Sequence, residues 1–192
     1  MIRAIIFDWA GVIGSDGLWP WLAEHEPDMV SRRAYLQELC DEVDSAKISH
    51  DEFIAALAKE SGMKPKDVWP SVKKEMVINH ELGQIIRHLK ANYKIGLLSN
   101  FTYPWLNEML RENNFYDLFH ELVISSEHKV IKPHREAYEK ILSMLRVAAE
   151  ESVFVDDRPV NVDAAKKVGM QGILFTGNTQ LVADLEKLGV TL

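Results

Sequence analysis

The sequence lacks several features that would identify other classes of protein. Its single cysteine, Cys40, excludes an internal disulfide bond, and free thiols are typical of a reducing compartment. No apolar run reaches the roughly 18 residues that a membrane-spanning helix needs. The first residues also show no basic and apolar leader with a cleavage site. We therefore expect a cytoplasmic protein that does not enter a membrane.

Basic residues are outnumbered by acidic ones. The chain has 22 lysines and arginines against 29 aspartates and glutamates, and this balance gives a net charge of −7 at pH 7. A negative surface repels the phosphates of nucleic acids and of anionic lipids, so neither is an expected partner. The seven histidines include no pair four residues apart, the spacing that places two zinc ligands on one helix face.

The apolar residues are concentrated in short runs that predict a parallel sheet. These runs are almost continuously apolar, as is typical of strands buried on both faces, and they lie at 2–7, 94–99, 121–126, 152–156 and 172–176. Amphipathic patterns between them predict helices at 80–92, 103–114, 134–147, 160–168 and 179–188. This alternation predicts an α/β fold with a doubly wound parallel sheet.

One stretch interrupts the alternation of strands and helices. Between Leu18 and Asn79 no strand pattern occurs, and the sequence instead predicts helices within 29–46, 49–62 and 65–76. Roughly 60 residues are too many for a simple crossover connection. We predict a core domain formed by 1–15 and 80–192, and a small helical cap domain, 16–79, that covers one edge of the sheet.

Polar residues follow four of the predicted strands, where open α/β sheets bind their ligands. They are Asp8, Ser99, Asn100, Lys129, Lys132, Asp156 and Asp157. Each residue alone is typical of a turn or a helix cap, but together they share one sheet edge. Three carboxylates there would repel each other without a cation, and oxygen ligands favour Mg²⁺. A metal, an anion-binding clamp and a free carboxylate predict phosphoryl transfer through an aspartyl-phosphate.

Four segments carry a resemblance to a known family. "FDWAGV" (7–12), "LLSN" (97–100), "IKPHREAY" (131–138) and "VFVDDRPVNVDAAKKVGM" (153–170) resemble, in order, the four motifs of the haloacid dehalogenase superfamily. The interval between the first two segments fits the subgroup with a helical cap. Within the superfamily, the sequence is most similar to the phosphatase-like branch that includes the N-terminal domain of soluble epoxide hydrolases.

The resemblance implies a role for each of these residues. Asp8 would be the nucleophile and a metal ligand, and the main-chain carbonyl of Ala10 would be another ligand. Ser99 and the following main-chain amide, that of Asn100, would bind the phosphoryl oxygens, while Lys132 would stabilise their charge. Asp156 would coordinate Mg²⁺, with Asp157 supporting it directly or through a water. The expected substrate is a small phosphorylated molecule.

Position 10 departs from the phosphatase pattern. In phosphatases of the superfamily an aspartate stands there, protonates the leaving alcohol and then activates water. General acid–base help of this kind contributes about 10²- to 10⁴-fold to the rate, and Ala10 cannot supply it. Our main hypothesis is a Mg²⁺-dependent phosphatase acting on a small phosphomonoester. Either Asp16 or His25 would serve as a substitute acid, or the leaving group of the substrate would need little protonation.

Three other hypotheses fit an alanine at this position. Phosphonoacetaldehyde hydrolases also carry one and cleave a C–P bond through a cap lysine, for which Lys47 is the candidate. Hydrolytic dehalogenases lack the second aspartate too, but the paired Asp156 and Asp157 disfavour this activity. The last hypothesis is a catalytically degenerate module that binds phosphate or Mg²⁺ and acts through its surface. Tryptophans would then mark its partner contacts: Trp19, Trp21, Trp69 and Trp105.

Overall fold

The centre of the fold is a five-stranded sheet in which all strand pairs are parallel. A computed structural model of the chain describes residues 1–26 and 28–192. The strands are β1 (Ala4–Phe7), β2 (Lys94–Ser99), β3 (Glu121–Ile124), β4 (Ser152–Asp156) and β5 (Gln171–Leu174). Their order across the sheet is β3-β2-β1-β4-β5. The central strand β1 pairs with β2 and β4, so that Phe7 lies opposite both Leu97 and Val155. The predicted doubly wound α/β fold is confirmed.

Helices cover the sheet and also fill the long stretch after the first strand. They are α1 (Leu18–His25), α2 (Met29–Asp44), α3 (His50–Ser61), α4 (Pro65–Lys74), α5 (His80–Leu89), α6 (Tyr103–Glu112), α7 (Ser125–His128), α8 (Arg135–Leu145), α9 (Pro159–Val168) and α10 (Asn178–Lys187). Short 3₁₀ turns occur at Tyr116–Leu118 and Ala149–Glu151. Among the described residues, no helix is both long and apolar enough to span a membrane.

Both faces of the sheet are buried, as the continuous apolar strands predict. Ile5 and Phe7 point to the face covered by α5, α6 and α10, while Ala4 and Ile6 point to the face covered by α8 and α9. The predicted apolar stripe of α8 is buried on the second face and comprises Tyr138, Ile141, Leu142 and Leu145. Burial of each large apolar side chain stabilises a fold by about 1.5–3 kcal/mol, so this double coverage fixes the sheet on which the strand ends are arranged.

The third strand is shorter than predicted. It ends at Ile124, and α7 begins at Ser125 instead of a continued strand to residue 126. The reason lies in the serine hydroxyls. Ser125 Oγ accepts a hydrogen bond from the Phe101 main-chain N–H, and Ser126 Oγ accepts one from Tyr103 N–H. Serine side chains that bond to main-chain groups compete with strand pairing, and here they secure the start of α6.

Helices α1–α4, called the inserted helices below, have a hydrophobic cluster of their own. Trp21, Leu36, Leu57 and Val68 are buried in it, together with Trp105 of α6. The Trp69 ring of α4 stacks on the Trp105 ring with centroids 4.4 Å apart. Lys73 of the same helix pairs with Glu108 and Glu112 of α6. These contacts hold the inserted helices against the helix that follows β2, beside the carboxyl ends of the strands.

Candidate active site

Asp8 lies directly after the central strand, and its environment follows from that position. The residue is only 4% exposed, and its main-chain N–H donates to the Val155 carbonyl oxygen, which extends the β1–β4 pairing by one residue. Its Oδ1 accepts a hydrogen bond of 2.7 Å from Trp9 N–H and pairs with Lys132 Nζ at 2.8 Å. The strand therefore presents one buried carboxylate at the middle of the sheet edge.

Lys132 joins two carboxylates. Its buried ammonium lies 2.8 Å from Asp8 Oδ1 and 2.7 Å from Asp156 Oδ2. The loop that carries it is fixed by Asn100, whose Oδ1 accepts from the Lys132 N–H and whose Nδ2 donates to the Lys132 carbonyl, both at 2.9 Å. The prediction placed Asn100 at the phosphate through its main-chain amide. Its side chain has another role, which is to position the lysine.

Asp156 is fully buried and held by several donors. Its Oδ1 accepts from the Arg158 N–H at 2.8 Å, and Asn161 Nδ2 donates to both carboxylate oxygens at 3.1 and 3.0 Å. Tyr138 Oη in turn donates to the Asn161 carbonyl at 2.8 Å. Sequence reasoning missed Asn161. The signal in the sequence was a polar residue in the first turn of α9, shortly after the paired aspartates. A polar residue at such a position is usually exposed or caps the helix.

Asp8, Asp156 and Asp157 converge on one point. One ligand atom from each lies within 4.8 Å of the others, and in the described residues this is the one such group of metal-ligating side chains. Close approach depends on Gly11, where an added Cβ would lie 2.2 Å from Asp157 Oδ2. Three carboxylates with oxygen donors, and no sulfur or imidazole among them, fit a hard cation such as Mg²⁺.

The electrostatics of this cluster favour a bound cation. Burial raises the pKa of Asp8 to about 7; Lys132 opposes this effect and Asp156 adds to it. Burial also raises the pKa of Asp157, and the neighbouring Asp156 charge raises it further. For Lys132, burial lowers the pKa, but the two carboxylates outweigh burial and the net pKa is raised. One lysine does not neutralise three acids, so an added positive charge stabilises their ionised forms.

Ser99 provides an unsatisfied hydroxyl at the same edge. The residue is 1% exposed, and its Oγ makes no hydrogen bond of normal geometry among residues 1–26 and 28–192, although it lies near enough to the Asp8 carboxylate to lower the pKa of that group slightly. Leaving a buried polar group unpaired costs about 1–3 kcal/mol. Such unpaired groups are rare in native proteins, and a bound ligand or water often completes their hydrogen bonding. The hydroxyl is therefore available to an oxygen of a bound anion.

A cavity of about 400 Å³ connects these residues with the inserted helices. Asp8, Ala10 and Lys132 line it at the sheet edge. The inserted helices and α6 contribute aromatic and apolar side chains, which include Trp19, Val43, Phe53, Val72 and Trp105. Helix α2 adds the charged or polar side chains of Arg33, Gln37, Asp41 and Asp44. Pockets of this size and character enclose small organic ligands.

The other candidates from the sequence lie in different places. Asp16 lines the cavity, but its Oδ1 accepts hydrogen bonds from the Leu18 and Trp19 N–H groups at the start of α1. His25 bonds through Nδ1 to the Trp21 carbonyl and does not line the cavity. Lys47 is exposed and lines a separate cavity beside α6 and α7, so it does not face Asp8.

Comparisons with known proteins agree with this geometry. A family model described as haloacid dehalogenase-like hydrolase matches residues 2–169. The sesquiterpene phosphatase astK of Aspergillus oryzae is 24% identical over 191 residues, which cover 97% of this chain and 96% of that protein. A HAD-like family hydrolase from Porphyromonas gingivalis superposes with a TM-score of 0.80 at 21% identity, covering 100% of both chains. A HAD family enzyme from Bacteroides thetaiotaomicron, solved with magnesium and inorganic phosphate, gives 0.75 at 17% identity and covers 90% of this chain and 93% of that one.

Proposed function

The chain belongs to the haloacid dehalogenase-like hydrolases, and from this membership we propose that it is a Mg²⁺-dependent phosphatase of a small phosphomonoester. The observation that carries the proposal is the convergence of Asp8, Asp156 and Asp157 within 4.8 Å, with Lys132 buried between the first two. The likeness to a phosphatase over nearly the whole chain supports this reaction class.

Asp8 is the proposed nucleophile. Its Oδ1 accepts the bonds from Trp9 N–H and Lys132, while Oδ2 accepts none from the described residues. One carboxylate oxygen is thus held in place and the other is left for attack on phosphorus. A positioned carboxylate that forms a covalent intermediate divides one difficult hydrolysis into two easier steps. Lys132 stabilises the charge on both the nucleophile and the phosphoryl group.

Mg²⁺ is the proposed cofactor. Asp8, Asp156, Asp157 and the main-chain carbonyl of Ala10 would hold it, and the bound ion would neutralise the carboxylates and polarise the phosphoryl oxygens. The oxygen-only donor set supports this choice, as does the magnesium and phosphate bound by the Bacteroides thetaiotaomicron enzyme. The unpaired Ser99 hydroxyl and the Asn100 main-chain N–H are proposed to bind the phosphoryl oxygens.

Residues 16–79 are proposed to act as a cap domain over a core of 1–15 and 80–192. The inserted helices supply the cavity with an aromatic and apolar patch that includes Trp19 and Phe53, beside polar residues of α2. An apolar patch opposite a charged site suits a phosphate ester of an apolar alcohol, because burial of the alcohol chain supplies binding energy. The sesquiterpene phosphatase activity named for the Aspergillus relative is consistent with such a substrate.

A second candidate function follows from Ala10, which lines the cavity without a carboxylate. A protein without an acid–base group at the leaving oxygen could bind phosphate and Mg²⁺ without turnover. The phosphonatase hypothesis has less support, because a Schiff-base lysine must reach the substrate and Lys47 lines a different cavity.

The test is release of phosphate from p-nitrophenyl phosphate and from a prenyl monophosphate, with Mg²⁺ or with EDTA. Wild type should be active with Mg²⁺ alone, and Asp8→Asn should lose activity to background. Asp163→Asn makes the same chemical change at an exposed position of α9 and should behave as wild type. A silent wild type that Ala10→Asp activates would favour the binding module. Silence of both proteins on both esters would refute the phosphatase proposal.

A further inference from the structure

The residue that replaces the missing proton donor can be identified from the cavity. We infer that Asp44, at the end of α2, is the catalytic acid and base of the proposed phosphatase reaction. The inference rests on the proposed function, since it needs a leaving group to protonate. Asp44 lines the same cavity as Asp8, Ala10 and Lys132, but it comes from the inserted helices instead of the sheet edge. It can therefore face the alcohol side of a phosphate ester held at Asp8.

Asp44 is distinguished from the other acids of the cavity by what its carboxyl group contacts. Asp8 and Asp157 belong to the proposed metal cluster. Asp16 accepts main-chain hydrogen bonds at the start of α1, and Asp41 accepts one from the side-chain amide one turn earlier at 2.9 Å. In the described part of the chain, the Asp44 carboxyl has no hydrogen bond and no ion pair. It is the cavity acid that is free to exchange a proton with a substrate.

The local environment places the pKa of Asp44 near neutral pH. Burial raises its pKa to about 7; Asp41 and Asp8 raise it further, and Lys132 opposes them. Its place at the carboxyl end of α2 acts in the same direction, because the negative end of a helix dipole disfavours a carboxylate. An acid with a pKa close to the working pH is the most effective proton donor and acceptor.

The remaining titratable groups around Asp44 do not compete for this role. Burial raises the pKa of the Cys40 thiol one turn earlier, so the thiol stays protonated. Helices α3 and α7 are among the elements packed on α2, and their histidines are engaged elsewhere. His50 bonds to Thr102 Oγ1, and His128 Nδ1 lies against the main chain of Ile124. Among the acids of these two helices, Asp51 and Glu127 are exposed, and the half-buried Glu60 is paired with Arg32.

The chemistry balances with a single proton carried by Asp44. Asp8 Oδ2 attacks phosphorus, the bond from phosphorus to the ester oxygen breaks, and its electron pair stays on that oxygen. The proton of Asp44 passes to the oxygen, so the alcohol leaves neutral. Asp44, now ionised, takes a proton from a water whose oxygen attacks phosphorus. The bond from Asp8 to phosphorus breaks, phosphate is released, and both carboxyl groups return to their starting states.

Asp44→Asn tests this role, because the amide matches the carboxylic acid in size and cannot give up a proton. The probes are an alkyl phosphate, whose alkoxide is a poor leaving group, and p-nitrophenyl phosphate, whose leaving group is stable as an anion. The kcat of Asp44→Asn on the alkyl phosphate should fall by about 10²- to 10⁴-fold. Its kcat on p-nitrophenyl phosphate should fall far less. Glu38→Gln, an equivalent change at an exposed position of the same helix, should leave both unchanged.

Two further measurements separate chemistry from structure. The wild-type kcat on the alkyl phosphate should decline as the pH rises above about 7, where Asp44 ionises, and Asp44→Asn should lose this decline. Adding Ala10→Asp to Asp44→Asn should restore activity by placing an acid at the family position. A merely structural role for Asp44 would produce neither the leaving-group dependence nor the rescue.

The outcomes distinguish this inference from the proposed function. Equal loss on both esters, or no loss on either, in an enzyme that Asp8→Asn inactivates would overturn the role of Asp44 and leave the phosphatase proposal intact. A silent wild type activated by Ala10→Asp would also overturn it, because Asp44 would then fail to supply the proton. Silence of wild type and Ala10→Asp alike would overturn both proposals.

Discussion

Replacing Gly11 with alanine should damage the proposed metal site while costing the fold little. Gly11 has a φ of +77°, and an added Cβ would lie 2.2 Å from Asp157 Oδ2 and 2.4 Å from its Cγ. These distances are far below van der Waals contact, so the Asp157 side chain must turn away. Asp157 is exposed and can move toward solvent, but it then no longer converges with Asp8 and Asp156.

A matched variant separates the effect on metal binding from the effect on stability. Gly62, at the end of α3, has a φ of +68°, and a Cβ there would meet nothing within 4 Å. A left-handed conformation costs alanine about 1–2 kcal/mol, and reduced freedom of the unfolded chain returns about 0.4–1 kcal/mol. Both variants should therefore lose about 1 kcal/mol of stability. Only Gly11→Ala displaces a proposed metal ligand, Asp157, which should weaken Mg²⁺ binding by at least about tenfold, or ~1.4 kcal/mol.

Two assays measure the two effects. Urea unfolding without Mg²⁺ should give similar losses in the free energy of unfolding for Gly11→Ala and Gly62→Ala. Calorimetric titration with Mg²⁺ should show wild-type affinity for Gly62→Ala and reduced affinity for Gly11→Ala. Undiminished Mg²⁺ binding by Gly11→Ala would refute the assignment of Asp157 to the metal site, and with it the explanation of the glycine.

Two other predictions concern buried charge. Lys132→Met leaves Asp8 and Asp156 buried without the ammonium that pairs with them. In the absence of Mg²⁺ its free energy of unfolding should therefore be about 3–5 kcal/mol lower than that of wild type. If urea unfolding gave Lys132→Met the same stability as wild type, that result would contradict the ion-pair arrangement. For Asp44 the folded pKa of about 7 exceeds the usual 3.8, so the folded state binds more protons than the unfolded state between these values and stability declines as pH rises through them. Asp44→Asn should accordingly be more stable than wild type above pH 7, by up to about 4 kcal/mol, and equally stable near pH 4. Equal stability at both pH values would argue against a raised pKa of Asp44.

Much of the core was predictable because its strands are buried on both faces. Continuous apolar runs have few alternative structures, and the strand ends then bring Asp8 and Asp156 to one edge. The end of β3 was predicted wrongly because Ser125 bonds to the Phe101 N–H, a contact that depends on where β2 ends in space. Local sequence carries no information about such a partner.

The polar residues of the site were predictable to different degrees. Asp8 and Lys132 occur in recognisable motifs, and the structure brings them within 2.8 Å. Asn161 and Asp44 occur in helical stretches, where the pattern predicts a helix but not which polar residue faces a cavity. For Asp44 that direction follows from how α2 packs, with Leu36, Leu39 and Val43 buried against residues of other helices such as Phe53, and these contacts join distant parts of the chain.

The most direct test of the account does not require the natural substrate. Fluoroberyllate binds an aspartate nucleophile beside Mg²⁺ as a mimic of the phosphoryl group, and a ligand that binds only the folded state raises Tm. Wild type and Asp163→Asn should show a raised Tm when Mg²⁺ and fluoroberyllate are both present. Mg²⁺ alone or fluoroberyllate alone should raise the Tm less. Asp8→Asn should show no such rise. An equal rise in Asp8→Asn, or none in wild type, would contradict the assignment of Asp8 as a phosphoryl-accepting nucleophile at a Mg²⁺ site.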